Sequence, residues 1–245
     1  MRRFRQRVLL GSPLIHKFAR RLPMPVKQIV ASWTGMVDVH RYQDFRNPTT
    51  KAALVADFLR RSVPNHPQSV LDVGCNAGEV TRHLNEQGFL TLGIDRPEVI
   101  ARVRHDNNRA ALLPFEVDTE SVLHLPSFDC VLILSVHHQW IAVNGDSATR
   151  RLVRLLSRKA GKTLVMEFSC LNSKYGWLKP ELFDDNTPNS VMEYATEWLA
   201  ETLPDFSFEF LGLNEEHPVD EPYRILFGGS RIDNLDSDRF LHQSS

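Results

Sequence analysis

The residue pattern predicts a doubly wound α/β domain whose seven strands form a mainly parallel sheet. Three observations carry that expectation: short apolar runs alternate with helically spaced stretches between Ser69 and Phe168, the first run ends in a glycine-rich bend, and two more apolar runs follow a late helix. After Pro48, TTKAALVADFLRR opens on a Thr cap and puts Leu54, Val55, Phe58 and Leu59 on one face, as an amphipathic helix does. Pro64 and Pro67 end it. Next come a strand at 69–73, a helix at 79–87, a strand at 91–94, a helix around 97–108 and strands at 115–117 and 128–134. A helix at 146–158 turns Leu152, Leu155 and Leu156 inward and is closed by Gly161, and a strand at 163–168 follows. Beyond Leu171 a loop with Trp177, Pro180 and Pro188 leads to a helix at 190–202, then to the runs FSFEFLGL and YRILFGG.

Chain-wide properties narrow the class. With 245 residues, 42% hydrophobic and 24% charged, the chain can bury one substantial core. We divide it into a basic, helical N-terminal extension (1–48), one domain (49–230) and a polar tail (231–245). No apolar run approaches the ~18 to 20 residues that span a bilayer. Cys75, Cys130 and Cys170 offer neither a disulfide framework nor a metal-ligand spacing, so no metal is expected, and a reducing cytoplasm suits them. The formal charge of -1 hides an asymmetry. Residues 1–37 hold eight Lys or Arg and no acid, whereas residues 181–222 hold twelve Asp or Glu and no Lys or Arg. The basic head, mixed with Leu9, Leu14, Ile15 and Phe18, suits peripheral contact of residues 1–27 with an anionic membrane at its inner face, contact with an acidic substrate, or a solubilising terminus. An Arg-rich, acid-poor start also fits a transit peptide, although serines are few.

The stretch VLDVGCNAG, Val70 to Gly78, points to a ligand. Glycines at a strand end let backbone N–H groups approach it, and the following helix offers unpaired donors with partial positive charge. The spacing is not that of a dinucleotide fingerprint, because Asp72 stands two residues before Gly74. A carboxylate there repels a pyrophosphate and welcomes a cationic amine, which S-adenosylmethionine carries beside its carboxylate and sulfonium. The second strand ends in Asp95, about 20 residues past the bend, where such folds hold ribose hydroxyls.

With these residues the chain resembles the class I S-adenosylmethionine-dependent methyltransferases, over roughly Ser69 to Phe168. VLDVGCNAG looks like the family's first motif, Gly93 to Asp95 its second, Val117-Asp118 the adenine-side acid and FDCVLILSV its fourth strand. The resemblance implies a Rossmann-like sheet with a hairpin-like edge after its fifth strand. It also implies that Asp72, Gly74 and Gly78 hold the methionine moiety, Asp95 the ribose, Arg96 a face of the adenine and Asp118 its amine, with Cys75, Asn76 and Ser135 completing the cofactor site. The segment LSVHHQWIAVNGD looks like the methyltransferase domains of bacterial O-antigen chain-terminating enzymes, which methylate a lipid-linked glycan terminus or its phosphate. It also resembles the methylphosphate capping enzymes of RNA, but their Lys-Trp pair is missing, and no kinase or coiled-coil region follows as in the glycan enzymes.

Ligands of open parallel sheets bind at the carboxyl ends of the strands, so the chemistry belongs after Leu134 and Phe168. His137 and His138, on a turn, are the candidate bases for a hydroxyl acceptor; Trp140, Lys174 and Tyr175 are candidate acceptor contacts. Adjacent histidines on a turn diverge, which disfavours a metal. The expected function is O-methylation of a sugar, glycan terminus or related small hydroxylated or phosphorylated acceptor. RNA methylation and a non-catalytic partner role for another methyltransferase are the alternatives, RNA having only the first 37 residues as a basic face.

Overall fold

The computed structural model describes residues 48–63, 68–103, 110–169, 188–214 and 224–232. They form α1 (Pro48–Ser62), β1 (Ser69–Val73), α2 (Glu79–Glu86), β2 (Leu90–Asp95), α3 (Pro97–Ile100), β3 (Ala111–Pro114) and a 3₁₀ turn at Ser121–His124. Next come β4 (Phe128–Ile133), α4 (His137–Asn144), α5 (Asp146–Ser157), β5 (Ala160–Ser169), α6 (Pro188–Thr202), β6 (Phe206–Asn214) and β7 (Arg224–Arg231). One seven-stranded sheet runs in the order β3-β2-β1-β4-β5-β7-β6. Neighbours from β3 to β5 pair in parallel, and β7 is antiparallel to both β5 and β6. This is the expected Rossmann-like sheet with its hairpin-like edge. Strand order reverses between β1 and β4, which pair from Val70–Cys130 to Val73–Ile133. A crevice opens at such a switch.

Alternation along each strand splits the core into two layers. Leu71, Val131, Ile133, Leu164, Met166 and Phe168 meet Leu152, Leu156 and Trp198 of α5 and α6. On the other face Val70, Leu132 and Val165 meet Val55, Phe58 and Leu59 of α1 and Leu84 of α2. Gly228 of β7 lets the α1 layer close, since a Cβ there would stand 2.7 Å from the Phe58 ring. Asp146 anchors α5 to α6, accepting from Trp198 Nε1 at 2.7 Å and from Arg150 Nε at 2.7 Å.

Local expectations shift in five places. The third strand lies at Ala111–Pro114 rather than 115–117, because Leu92 to Asp95 pair with those residues and only the Phe115 N–H prolongs the ladder, to Asp95 O at 2.8 Å. It is a solvent-facing edge without the apolar alternation that marks an interior strand. Helix α3 stops at Ile100, before the expected 108. Gly161 does not close a helix: α5 ends at Ser157, and Gly161 sits inside β5. Helix α1 opens at Pro48, so Thr49 lies in its first turn and its hydroxyl meets His83 Nε2 at 3.1 Å. The histidine pair opens helix α4 rather than a turn, with the Gln139 and Trp140 N–H groups donating to Val136 O at 2.9 and 3.0 Å. No helix among the described residues is long and apolar enough to cross a membrane.

Candidate active site

The bend after β1 is built from left-handed residues. Gly74 and Gly78 have φ of 74° and 78°, and a Cβ on Gly78 would stand 2.6 Å from Leu112 Cδ2 and 3.0 Å from Ala110 Cβ. A Cβ on Gly74 would overlap the Val136 side chain across the switch point. Glycine is required at both positions by conformation and by space. Asn76, at φ 52°, is one of the few side-chain types that tolerate this region. Its N–H donates to Asp95 Oδ2 at 2.8 Å, while the Arg96 N–H donates to Oδ1 at 2.7 Å. The Gly74 and Cys75 N–H groups both donate to Ile94 O, at 2.8 and 3.1 Å. The ends of β1 and β2 are thereby stapled together, and the Asp95 carboxylate is set beside the bend.

Asp72 is buried at 2% exposure and accepts the Thr81 hydroxyl at 2.7 Å. Burial pushes its carboxyl up to about 6, with the Thr81 bond and the Lys51 charge pulling the other way. Burial also raises Asp95, against the pull of its two backbone donors. The Cys75 thiol is pushed far up by burial and then by Asp72 and Asp95, so it stays a thiol. A Cβ on Gly93 would lie 2.8 Å from that sulfur, which places the Cys75 side chain under β2 and leaves its backbone to the bend. Arg96 is exposed and pairs with Glu98 at 3.1 Å. Asp118 is exposed beyond β3. Its Oδ1 accepts the N–H groups of Ser121 at 2.7 Å and Glu120 at 2.8 Å, which hold its carboxyl below the usual range and open the 3₁₀ turn.

The tip of β4 carries one of the two left-handed non-glycine residues among those described. Ser135 has φ 61°, a conformation that a serine adopts at a cost of about 1 kcal/mol or more. Its hydroxyl donates to Glu167 Oε2 of β5 and accepts from Lys51 Nζ of α1 at 3.2 Å. Lys51 Nζ also lies 2.9 Å from each Glu167 oxygen. Arg224, the first residue of β7, brings Nε to 3.9 Å from Glu167 Oε1. Lys51, Glu167 and Arg224 are buried, and Ser135 is half-buried above them. Lys51 and Arg224 escaped the sequence reading. The signal was there for Lys51, which stands at helical spacing with Val55, Phe58 and Leu59 on the apolar face.

His137 and His138 are both buried. The His137 ring packs 4.6 Å from the Phe168 ring and 4.6 Å, edge-on, from Trp198. Burial lowers its pKa to about 3, so it is uncharged at neutral pH. Its Nε2 takes no hydrogen bond among the described residues. Trp140 is half-buried against the α5 and α6 layer. Lys174, Tyr175 and the basic head at residues 1–47 lie outside the described residues.

A left-handed glycine bend at the switch point of an open sheet, with a carboxylate on each of the first two strands, defines the Rossmann-like class of nucleoside-cofactor domains. Comparison with known proteins then narrows it. Residues 71–164 match the family model described as a methyltransferase domain. A curated protein of Geobacillus sp. (strain WCH70), named "Putative methyltransferase", is 34% identical over 67 residues, 26% of this chain and 27% of its own length. Among solved structures, the bifunctional kinase-methyltransferase WbdD is similar with a TM-score of 0.56 at 21% identity, over 76% of this chain and 40% of that one. Magnesium protoporphyrin IX methyltransferase (ChlM) from Synechocystis PCC 6803, solved with SAH bound, is similar with a TM-score of 0.57 at 16% identity, over 84% of this chain and 100% of that one. The match over residues 71–164 and the shared sheet make this chain similar to methyltransferases whose solved structures bind S-adenosylmethionine or its product, so S-adenosylmethionine is the cofactor to test against the site.

The residues present fit that cofactor. The left-handed bend at Gly74 and Gly78 has no room for a side chain, which keeps it tight at the strand end, and the Asp72 carboxylate suits an ammonium. Asp95, whose two oxygens each accept one backbone N–H, keeps lone pairs for a ribose diol.

Proposed function

We propose that this protein is an O-methyltransferase acting on a sugar, a glycan terminus or a related small hydroxylated or phosphorylated acceptor. The observation that carries the reading is the tip of β4, where a half-buried hydroxyl, Ser135, stands over the Lys51–Glu167 pair beside the cofactor bend. A polar floor of that kind suits an oxygen acceptor, and the LSVHHQW segment supports the glycan class by resemblance. When bound, S-adenosylmethionine supplies an electrophilic methyl group. The chain has to place an acceptor oxygen about 3 to 3.5 Å from that methyl, in line with the sulfur, and keep water away. Gly74 and Val136, in contact across the switch, shape the floor on which both reactants would meet. His137 would support this arrangement as a packed, neutral ring, because burial among Phe168 and Trp198 opposes the charge that a proton acceptor must take on.

The testing experiment incubates the full chain with radiolabelled S-adenosylmethionine and separate extract fractions: small molecules, glycolipids and RNA. Label in the first two is the expected result, and label confined to RNA would replace this reading. Residues 1–27 are further proposed to touch an anionic membrane surface. Full-chain protein should sediment with phosphatidylglycerol vesicles at low salt and be released by high salt.

A further inference from the structure

Beside the cofactor bend, the half-buried Ser135 hydroxyl sits on the buried Lys51–Glu167 pair. From its geometry we infer that Ser135 receives the hydrogen bond of the acceptor, and that the reacting atom is a neutral hydroxyl oxygen rather than a phosphate oxygen. The inference rests on the O-methyltransferase reading and chooses between the acceptor kinds that reading leaves open.

Three observations carry it. First, Ser135 holds a left-handed conformation at the carboxyl end of β4, one residue before the Val136 side chain that touches the cofactor bend. Strain persists where surrounding contacts enforce it, and here Glu167 and Lys51 supply those contacts. Second, among the described residues the Ser135 hydroxyl donates to Glu167 and accepts from Lys51, which leaves one lone pair to accept an incoming O–H. Third, the Lys51 ammonium is matched by the Glu167 carboxylate at 2.9 Å on both oxygens, and the buried Arg224 and Asp72 are of opposite charge, so these four groups leave no unmatched cation for a phosphate. A phosphate brought to Ser135 would meet the Glu167 carboxylate directly behind it, and like charges at that range repel.

The proton has a route. As the acceptor oxygen bonds to the methyl carbon, the carbon–sulfur bond breaks and its electron pair stays on sulfur, giving a neutral thioether. The hydroxyl proton passes to Ser135 Oγ, and the proton already on Ser135 passes to Glu167 Oε2. The carboxylate becomes a carboxylic acid and later returns its proton to solvent. A protonated ether is a far stronger acid than a carboxylic acid, so even an ion-paired carboxylate can receive that proton. Ser135 is thus the residue that touches substrate, and Glu167 and Lys51 position it.

The test combines one variant with one product analysis on the full-length protein. Ser135→Gly removes the hydroxyl and accepts a φ of 61° without strain, so its melting temperature should not fall. Its methyl transfer to a small-molecule extract should fall roughly 100-fold, while calorimetry gives S-adenosylmethionine affinity within about twofold of wild type. Unchanged transfer would overturn the inference, and so would a comparable loss of cofactor affinity, which would put Ser135 on the cofactor's side. With ¹³C-methyl donor, the product's methyl carbon should give an NMR signal of an oxygen-bound methyl unsplit by phosphorus. Splitting by phosphorus would refute the hydroxyl acceptor and leave the O-methyltransferase reading standing. Absent cofactor binding, or binding without transfer to any extract fraction, would defeat that reading itself.

Discussion

Replacing Asp72 with Asn separates what this carboxylate does for binding from what it costs the fold. Its pKa is raised from 3.8 to about 6, and at about 1.36 kcal/mol per unit that amounts to about 3 kcal/mol held against the ionised form. The native state binds the proton more tightly than the unfolded chain between about pH 4 and pH 6. By linkage this contribution lowers stability as pH rises through that window and is fully expressed above it. An Asn side chain keeps an oxygen for the Thr81 hydroxyl, now at 2.7 Å, and removes the buried charge. Its amide N–H groups need partners, which costs about 1 to 2 kcal/mol if unmet. At pH 7.5 the variant should therefore be about 1 to 2 kcal/mol more stable than wild type, or roughly 2 to 8 °C in melting temperature. At pH 4 that advantage should vanish or reverse, because the wild-type carboxyl is then neutral too. Cofactor binding should move the opposite way: a saturating donor at 100 times its Kd raises wild-type stability by about 2.7 kcal/mol, and should leave the variant's melting temperature almost unmoved. Calorimetric melts at pH 4 and 7.5, with and without S-adenosylmethionine, measure all of this. A variant less stable at pH 7.5, a difference independent of pH, or an undiminished cofactor response would refute the reasoning.

Three further outcomes follow from the same geometry. Gly78→Ala forces a side chain into φ 78° and against Leu112, so about 2 kcal/mol of stability should be lost together with most cofactor affinity, measured by denaturant titration and calorimetry. Lys51→Met leaves the buried Glu167 with the more distant Arg224, at 3.9 Å, as its cation and should cost about 3 kcal/mol, part of which Lys51→Met/Glu167→Gln should recover in the same unfolding assay. The His137 pKa is lowered to about 3, so the unfolded chain binds the extra proton first, and stability is lost as pH falls below 6.5; His137→Phe should flatten that acid-side slope in melts between pH 4 and pH 6.5.

The sheet was legible because its signals are local. Asp72, Gly74 and Gly78 announce a strand, a left-handed bend and a helix within nine residues, and the structure puts all three at the switch point. The edge strand escaped because β3 buries almost nothing, so no apolar alternation marks Ala111 to Pro114. Helix α4 escaped because His137 and His138 read as polar, whereas the fold buries both and uses His137 as one ring among Phe168 and Trp198.

Lys51, Ser135 and Glu167 show why the site beyond the cradle was less legible. They come from α1, the β4 tip and β5, separated by 84 and 32 residues, and only the parallel register of β4 with β5 brings the last two together. No motif spacing encodes a meeting of that kind. What the sequence does hold is a conflict: a lysine on an apolar helical face and a glutamate within the apolar run LVMEF of a strand. Any one of these charges alone would be costly in a core, and the fold resolves the conflict by pairing Lys51 with Glu167 and bringing Arg224 to 3.9 Å from the same carboxylate. Charges misplaced against their local pattern can therefore point to a paired site from the residue order alone. The strained Ser135 above the pair is the part that only the folded chain reveals, because nothing in LSV distinguishes a left-handed serine from an extended one.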